Sequence, residues 1–273
     1  MLHFVCAFKS EAQVVIEHFS LKHLGDDGLF GVYVNRGNDI SLTISGLGKL
    51  ASSSAVMHTH LKLLCATGDM WVNIGIAGHQ DHNIGELVLC DRIEDEGSGQ
   101  VWYPQILIDT DLPSSSLLTL DKPRDDYTQQ MYDMEASGVF QSACRFSTLE
   151  FIHSLKVISD NKQQPLERMD KKVIYELIGD KIGDINNFVD SLEQLSKKLS
   201  DSGTEVTAEA QQFFSRSHFT ANQQSQLITL LRRYKLLFPG NTAVEQFADD
   251  ESAREILIKL REYMDAAPFS LGK

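Results

Sequence analysis

Basic residues and cysteines are both scarce in this chain. Lysine and arginine together number 25 against 38 aspartates and glutamates, which gives a formal net charge of −13. Such a surface repels phosphate backbones and anionic lipid headgroups, so we expect neither nucleic acid nor a membrane as partner. The four cysteines form no CxxC pair and lie within apolar stretches. They therefore indicate reduced core residues of a cytoplasmic protein rather than a disulfide framework.

Long apolar runs are also missing. No stretch approaches the roughly 18 apolar residues of a membrane span. The first residues lack the basic segment and apolar stretch of a secretory signal, so we expect no leader peptide. The chain has 273 residues, enough to bury either one large core or one core with an appendage.

Strand-like and helix-like segments alternate over much of the chain. Four short apolar runs indicate buried strands: His3–Phe8, Met70–Ile76, Gly85–Arg92 and Ser154–Ser159. Helical spacing is found between or beside them, over Leu50–Ala66 and Asp133–Cys144. This alternation predicts an α/β fold, a three-layer α/β/α sandwich around a mostly parallel central sheet.

The composition changes at residues 200–204, a polar Ser-Asp-Ser-Gly-Thr run that predicts a linker. Before it, Arg168–Leu199 is helical with a predicted break near Gly179–Gly183. Beyond it only helical patterns follow, capped by Thr220 and by Asp250 or Ser252 and separated by a turn at Pro239: Thr207–Ser215, Thr220–Lys235 and Asp250–Ala266. We therefore predict an α/β domain over residues 1–199 and a helical extension over residues 200–273.

Three carboxylates lie at the ends of strand-like runs. Glu11 follows the first strand, Glu135 opens an apolar helix-like run, and Asp160 comes just past a β-branched run. Cleavage of a glycosidic bond needs a proton donor for the leaving group, a base for water and an anchor for the sugar hydroxyls. Each acid also has an ordinary structural explanation, as a turn cap, a first-turn helix residue or a solvated side chain.

Six short motifs at strand–loop junctions occur in an order typical of one superfamily. They are AFKSEA at 7–12, SGLGK at 45–49, NIGIAGH at 73–79, GELVLCDRI at 85–93, DMEASG at 133–138 and ISDN at 158–161. The chain thereby resembles the nucleoside phosphorylase/nucleosidase superfamily, and within it the methylthioadenosine/S-adenosylhomocysteine nucleosidases. The resemblance covers about residues 1–198 and makes residues 1–199 a nucleoside phosphorylase-like domain.

The resemblance implies a role for each residue of the candidate site. Asp160, preceded by Ser159, would contact the purine base and protonate its N7, because a neutral purine leaves more readily than its anion. Glu135 would accept hydrogen bonds from the ribose 2′- and 3′-hydroxyls, with Met134 packed beneath the sugar or base. Glu11 would position and deprotonate water.

The segment Asn73–His79 bears on the nucleophile. Phosphorylases of the superfamily place an arginine before this glycine turn, a hydroxyl residue within it and an arginine after the first strand. Here Asn73 and Ile76 take the first two positions and no arginine follows the first strand. A phosphate would lack charged partners, so water is the expected nucleophile. Ile76 and Gly78 are expected to line the substrate pocket, although the nucleosidases usually keep a serine where Ile76 stands.

Three further features qualify the interpretation. Trp102 is expected to stack in the base or tail pocket and the Trp-Tyr-Pro segment to form a dimer contact. The stretch that clamps the purine base in the family is shortened here to residues 119–123. The sequence therefore does not determine which purine base is bound. His79 and His82 could suggest a metal pair, but no third ligand is apparent and the family needs no metal. We expect no metal and no cofactor.

These observations predict an enzyme, a hydrolase that acts as a purine-nucleoside N-glycosidase of the methylthioadenosine/S-adenosylhomocysteine nucleosidase type. The expected partner is a small purine nucleoside, and the expected assembly is a homodimer. Two alternatives stay open: a purine nucleoside phosphorylase, or a nucleoside-binding regulatory protein with weakened catalysis.

Overall fold

A computed structural model describes residues 1–25, 28–66, 68–124, 126–165, 170–238, 240–246 and 252–265. The chain divides into two compact units, Met1–Glu193 and Gln194–Lys273. The first contains the strands β1 Leu2–Cys6, β2 Lys22–His23, β3 Gly31–Val34, β4 Ile40–Ile44, β5 Met70–His79, β6 Leu87–Asp95, β7 Val101–Trp102, β8 Ser114–Thr119, β9 Met131–Asp133 and β10 Ile152–Asn161. The helices are α1 Lys9–His18, α2 Lys49–Leu63, α3 Ala136–Ala143, α4 Lys171–Gly179, α5 Ile182–Arg216, α6 Ala221–Leu237 and α7 Ala253–Asp265.

The strands form one mixed sheet that closes partly on itself. From β2 the order runs β3, β4, β1, β5, and β5 then pairs with both β10 and β9. On its other side β10 pairs with β6, β6 pairs with β8, and β8 pairs with β9. Together with β5, these strands therefore make a closed ring. The ring closes through a short antiparallel contact between Gly78 and Tyr132.

The predicted α/β class is confirmed, but the prediction of a mostly parallel sheet is wrong. Five of the pairings between described strands are parallel and five are antiparallel. The connection from β5 to β6, residues 80–86, is too short for the crossover that a parallel pair requires, so β6 runs the other way. The three-layer arrangement stays a prediction.

Helices pack against both faces of β1. Phe4 and Val5 point to opposite faces because side chains alternate along a strand. The Phe4 ring lies 5.3 Å from that of Phe19, which follows α1. Val5 belongs to a buried cluster with Val56 of α2 and Phe140 of α3. Beneath these helices, β1, β5 and β10 pair side by side and parallel, so their carboxyl ends meet at one edge.

Several element boundaries differ from the sequence predictions. Asp133 ends strand β9 rather than beginning a helix, and its Oδ2 accepts a hydrogen bond from Ala136 N at the start of α3. The predicted break near Gly179 is confirmed, since α4 ends there and α5 begins at Ile182. The predicted polar linker is wrong because residues 200–204 lie within α5; helical turns on both sides outweigh the weak propensities of this run. Residues 166–169, Pro239, Asp250 and Ala266 lie outside the described residues, and the boundary at residues 199 and 200 stays a prediction.

The second unit has its own apolar cluster. Leu227, Leu231 and Tyr234 of α6 are buried together with Leu260 of α7. Helix α6 begins with the predicted cap, because Thr220 Oγ1 accepts a hydrogen bond from Gln223 N. Among the described residues of both units, no helix is long and apolar enough to cross a membrane.

Candidate active site

A pocket of about 300 Å³ opens at the carboxyl ends of the central strands. The ends of β5 and β10 form one wall, and the end of β9 with the start of α3 forms another. Its lining residues are Phe8, Leu47, Ile76, Ala77, Gly78, Leu120, Pro123, Arg124, Tyr127, Tyr132, Asp133, Met134, Glu135, Ser159 and Asp160. Six of the eight predicted site residues are among them: Ile76, Gly78, Met134, Glu135, Ser159 and Asp160.

Asp160 lies near the end of β10, where the strand departs from regular pairing. The register with β5 shifts between Ile158 and Asp160, and such an irregularity can re-aim a side chain. Asp160 is 7% exposed and pairs with Gly78. A Cβ at position 78 would lie only 2.7 Å from Asp160 Oδ2, so only glycine leaves this carboxylate room.

Both oxygens of Asp160 accept hydrogen bonds. Ser159 Oγ donates to Oδ1 over 2.5 Å, and the hydroxyl of Tyr127 donates to Oδ2 over 2.6 Å. Tyr127 is buried and lines the pocket, yet the sequence reasoning missed it. It follows a polar stretch, residues 121–126, without strand or helix periodicity, so no sequence signal marked it.

Glu135 occupies the position just before helix α3. Its Oε1 accepts a hydrogen bond over 2.8 Å from Gly48 N, within the predicted Ser-Gly-Leu-Gly turn. Gly48 has φ +97°, a conformation that residues with a Cβ rarely adopt. Burial, and next the charge of Asp133, raise the pKa of Glu135 to about 7. The Glu135 carboxyl group lines the pocket, and its burial there disfavours the ionised form.

Glu11 lies directly behind the pocket wall rather than among its lining residues. Its Oε2 accepts hydrogen bonds over 2.9 Å from Ala7 N and Phe8 N, and its Oε1 accepts one over 3.2 Å from Ile76 N. Phe8 and Ile76 both line the pocket. Glu11 is 2% exposed, and burial raises its pKa. The bond to Phe8 N also makes Glu11 a cap of helix α1, so the structural explanation for this residue holds as well.

Lys156 is a buried cation that interacts with the carboxylates of the site, and the sequence did not lead us to predict it. It lies in the middle of β10, 1% exposed, with Nζ 2.8 Å from Asp133 Oδ2. A Cβ at position 75 would lie 3.0 Å from Glu11 Oε1 and 3.3 Å from Lys156 Nζ, so both groups lie over Gly75. Burial alone would lower the pKa of Lys156, but the charges of Asp133 and Glu135 raise it. A lysine inside an apolar strand was the available signal, because a buried cation needs anionic partners.

Trp102 is not brought to the pocket. It lies in β7, which pairs with β6 at Ile93, and its ring packs 6.3 Å from that of Phe140. It lines a separate surface depression with Gln141 and Arg145. Neither Val101 nor Trp102 of β7 is among the residues that line the pocket. Within one chain, Trp102 therefore does not contact a ligand bound there.

The arginine at the pocket is already paired with carboxylates. Arg124 lines the pocket, with Nη1 2.7 Å from Glu96 Oε1 and Nε 3.0 Å from Asp126 Oδ1. Its guanidinium also lies 5.2 Å from the centre of the Tyr132 ring. His79 is engaged as well: its Nδ1 accepts from Asp81 N and His82 N, and its Nε2 donates to the Gln129 carbonyl. The His79–His82 pair thus has no lone pair on His79 left for a metal.

Solved structures similar to this chain include nucleosidases. The 5′-methylthioadenosine nucleosidase of Arabidopsis thaliana aligns over 70% of this chain and 95% of its own, with 17% identity and a TM-score of 0.57. The methylthioadenosine/S-adenosylhomocysteine nucleosidase of S. pneumoniae, solved with a transition-state inhibitor, aligns over 70% and 99%, with 15% identity and a TM-score of 0.56. The chain has the fold of these nucleosidases. The resemblance predicted from the six motifs is confirmed at this level.

The nucleosidase fold also includes ligand-bound examples. An aspartate-to-asparagine variant of the Helicobacter pylori nucleosidase, with 5′-methylthioadenosine in its active site, aligns over 69% of this chain and 97% of its own. Its identity is 14% and its TM-score 0.53. No protein-family model and no curated protein sequence matches the chain.

Proposed function

We propose that this protein hydrolyses the N-glycosidic bond of purine nucleosides of the methylthioadenosine type. The observation that carries the proposal is the meeting of Asp160, Glu135 and Met134 in one pocket, with Glu11 directly behind it. The nucleosidase fold supports it, because similar structures hold a transition-state inhibitor and 5′-methylthioadenosine. A pocket of about 300 Å³ has the size of a small-molecule site.

In the proposed reaction, Asp160 donates a proton to purine N7 as the glycosidic bond breaks. This proton prevents the base from leaving as an anion, which lowers the barrier. The base must lie beside Asp160 and therefore take the place of the Tyr127 hydroxyl on Oδ2. Tyr127 then lies next to the base, and the short segment from Leu120 to Arg124 walls this end of the pocket.

Glu135 holds the ribose in this proposal. A carboxylate can accept two hydrogen bonds from vicinal hydroxyls, and Oε2 of Glu135 is free of the Gly48 contact made by Oε1. Met134, half-buried in the same wall, supplies an apolar surface beneath the sugar. The charge of Lys156 helps to keep Glu135 ionised, since it opposes the effect of burial on its pKa.

The proposed nucleophile is water activated by Glu11. Its Oε1 accepts one hydrogen bond from the Ile76 amide and so retains a lone pair for a water proton. The raised pKa of Glu11 makes it a stronger base than an exposed glutamate. Phosphate is disfavoured because both nearby cations, Lys156 and Arg124, are already paired with carboxylates in the part of the chain described here.

A second candidate is a nucleoside-binding regulatory protein with weak turnover. One observation favours it: Ser159 and Tyr127 both donate to Asp160. Both oxygens of Asp160 are thereby occupied, whereas the hydrolase needs one of them to contact the base and transfer a proton to it. The two candidates differ in outcome, because a binding protein would retain the nucleoside without releasing its base.

We predict that Glu135→Gln lowers kcat/KM for 5′-methylthioadenosine by about 10- to 100-fold, the size of a lost hydrogen bond to a charged group. The 2′-deoxy analogue should suffer much less from this substitution, because it lacks one of the two hydroxyls. Steady-state kinetics on both nucleosides provide the measurement, with the exposed Glu176→Gln as matched control. Equal losses on both nucleosides would mean that Glu135 has a structural role only.

We further propose that the protein is a cytoplasmic homodimer. Helix α2 and the residue after it carry exposed apolar side chains along one stripe: Leu50, Met57, Leu61 and Leu64. These positions lie within a narrow angular range at 3.6 residues per turn, and Leu50 is 82% exposed. A contiguous apolar stripe of this kind marks an interaction surface.

The free cysteines suit a reducing compartment.

We predict that light scattering gives the mass of a dimer at micromolar concentration and that Leu50→Glu with Leu61→Glu gives a monomer. Both side chains are exposed in one chain, so the substitutions should leave its fold intact. Val173→Glu on α4 is the matched control, since α4 packs with α1 and Val173 is 45% exposed. A wild-type monomer, or a double variant that remains dimeric, would contradict the proposal.

A further inference from the structure

Three metal-binding side chains meet at the edge of the sheet opposite the pocket. His3 lies in β1, Asp69 immediately precedes β5, and Cys65 lies just beyond α2. One donor atom of each, an imidazole nitrogen, a carboxylate oxygen and the thiol sulfur, lies within 4.8 Å of the other two. His3 and Asp69 are buried and Cys65 is half-buried, so the cluster is shielded but reachable from one side.

The donor atoms of His3 and Cys65 make only long contacts, and the Cys65 thiol donates to the Thr59 carbonyl over 3.7 Å. His3 Nε2 and Asp69 Oδ2 are 3.4 Å apart, long for a hydrogen bond. Both atoms and the sulfur carry lone pairs, so they repel one another unless a proton or a cation lies between them. A zinc ion bonds sulfur at about 2.3 Å and nitrogen or oxygen at about 2.0 Å, which sets ligand atoms roughly 3–4 Å apart. Small side-chain movements would therefore close the cluster around such an ion.

Neighbouring groups orient these side chains as they do in known metal sites. The other ring nitrogen of His3, Nδ1, is 2.7 Å from Ser41 Oγ, which can accept its proton and leave the Nε2 lone pair for a metal. Ala66 N donates to Asp69 Oδ2 over 2.8 Å, and the Met1 amino group pairs with Oδ1. Each oxygen keeps a further lone pair.

A fourth group near the cluster is unsatisfied. His60, in the last turn of α2, has a buried Nδ1 without a hydrogen-bond partner among the described residues. It lies near enough to His3 for the charges of the two rings to interact. Its ring stacks on Phe146, which contacts Trp71, and Trp71 contacts His3.

We propose that His3, Cys65 and Asp69 form a transition-metal site of the zinc class, with water or His60 completing the coordination. Nitrogen, sulfur and carboxylate oxygen together suit zinc rather than magnesium or calcium, which prefer oxygen ligands only. On binding, the Cys65 thiol releases one proton to solvent and the thiolate bonds the metal. The ion would join β1, β5 and the end of α2, which makes its role structural and independent of the pocket.

The test uses the full chain without any affinity tag, stripped of metal and titrated with cobalt(II) and zinc(II). We expect one equivalent to bind, a thiolate-to-cobalt absorption band, and a rise in Tm of roughly 5–10 °C at a free zinc concentration about 100 times Kd. Cys65→Ser should abolish the band and most of the Tm rise. Cys144→Ser, another half-buried cysteine, should preserve both.

Two further measurements distinguish the loss of a metal ligand from a general loss of folding. The metal-free Tm of Cys65→Ser should match that of the wild type, which shows that the variant folds. Asp69→Asn should keep the sulfur band but raise Kd for zinc at least about tenfold, since one anionic ligand is lost. Failure of the wild type to take up metal, or an unchanged cobalt band in Cys65→Ser, would overturn the proposal.

Discussion

Asp160→Asn is expected to lower the turnover of 5′-methylthioadenosine by roughly 10²–10⁴-fold, the range for loss of a general acid. Asparagine has nearly the same shape as aspartate but cannot transfer a proton to purine N7. The hydroxyls of Tyr127 and Ser159 can reorient toward the new amide, so folding should be retained. Release of adenine, followed by chromatography, gives the rate, and unfolding is measured on the same sample.

The matched control for this variant is Asp111→Asn. Asp111 is exposed on a loop and is not among the residues that line the pocket. Its substitution should leave both turnover and stability unchanged. If Asp160→Asn retained turnover within a few-fold of the wild type, Asp160 would not be the proton donor and the proposed reaction would lose its leaving-group step.

Lys156→Met is expected to lower the free energy of unfolding of the first unit by about 3–5 kcal/mol, the cost of leaving a buried charge without its partner. Asp133 would lose its ion pair at 2.8 Å, and the buried carboxylates Glu135 and Glu11 would lose their nearest cation. Methionine fills a similar volume, so little of the loss would come from a cavity.

Tryptophan fluorescence during denaturant unfolding reports this unit specifically, because both tryptophans, Trp71 and Trp102, belong to it. Lys172→Met is the matched control: Lys172 is exposed and its pair with Glu176 is solvated, so its loss should cost less than about 0.5 kcal/mol. Similar losses for the two variants would show that the buried carboxylates near Lys156 do not depend on its charge.

The sequence predicted the part of the pocket whose residues lie at the ends of apolar strands. Ile76 and Gly78 end β5, and Ser159 and Asp160 end β10. Parallel neighbours bring such ends together, and the resemblance to the nucleosidases assigned these residues to the pocket. Glu135 and Met134 were assigned because they match the ribose-binding pair of the resembled family, and they directly precede helix α3.

Tyr127 and Lys156 show what the sequence pattern could not predict. Tyr127 reaches Asp160 from a segment without periodicity, and only the tertiary path of residues 120–127 brings it there. Lys156 stands inside an apolar strand, which indicates a buried cation but does not identify its partner, because Asp133 is distant in sequence. Long-range pairing of this kind has no local signature.

The predictions of a mostly parallel sheet and of a linker at residues 200–204 were wrong for different physical reasons. Antiparallel pairing of β6 follows from loop length and from closure of the ring through Gly78 and Tyr132, which strand patterns do not reveal. Helix α5 continues through residues 200–204, where composition favoured a linker, because cooperative helix formation can carry a short run of weak formers. Trp102 lies outside the pocket of one chain, because its aromatic character says nothing about which strand it pairs with.

The most direct test of the proposed function is product analysis with 5′-methylthioadenosine in phosphate buffer. The wild-type chain should release free adenine and free 5-methylthioribose, at a rate that added phosphate does not change, and phosphorus NMR should show inorganic phosphate alone. Two results would contradict the account: a sugar-1-phosphate signal that grows with turnover, or no adenine release above that of Asp160→Asn.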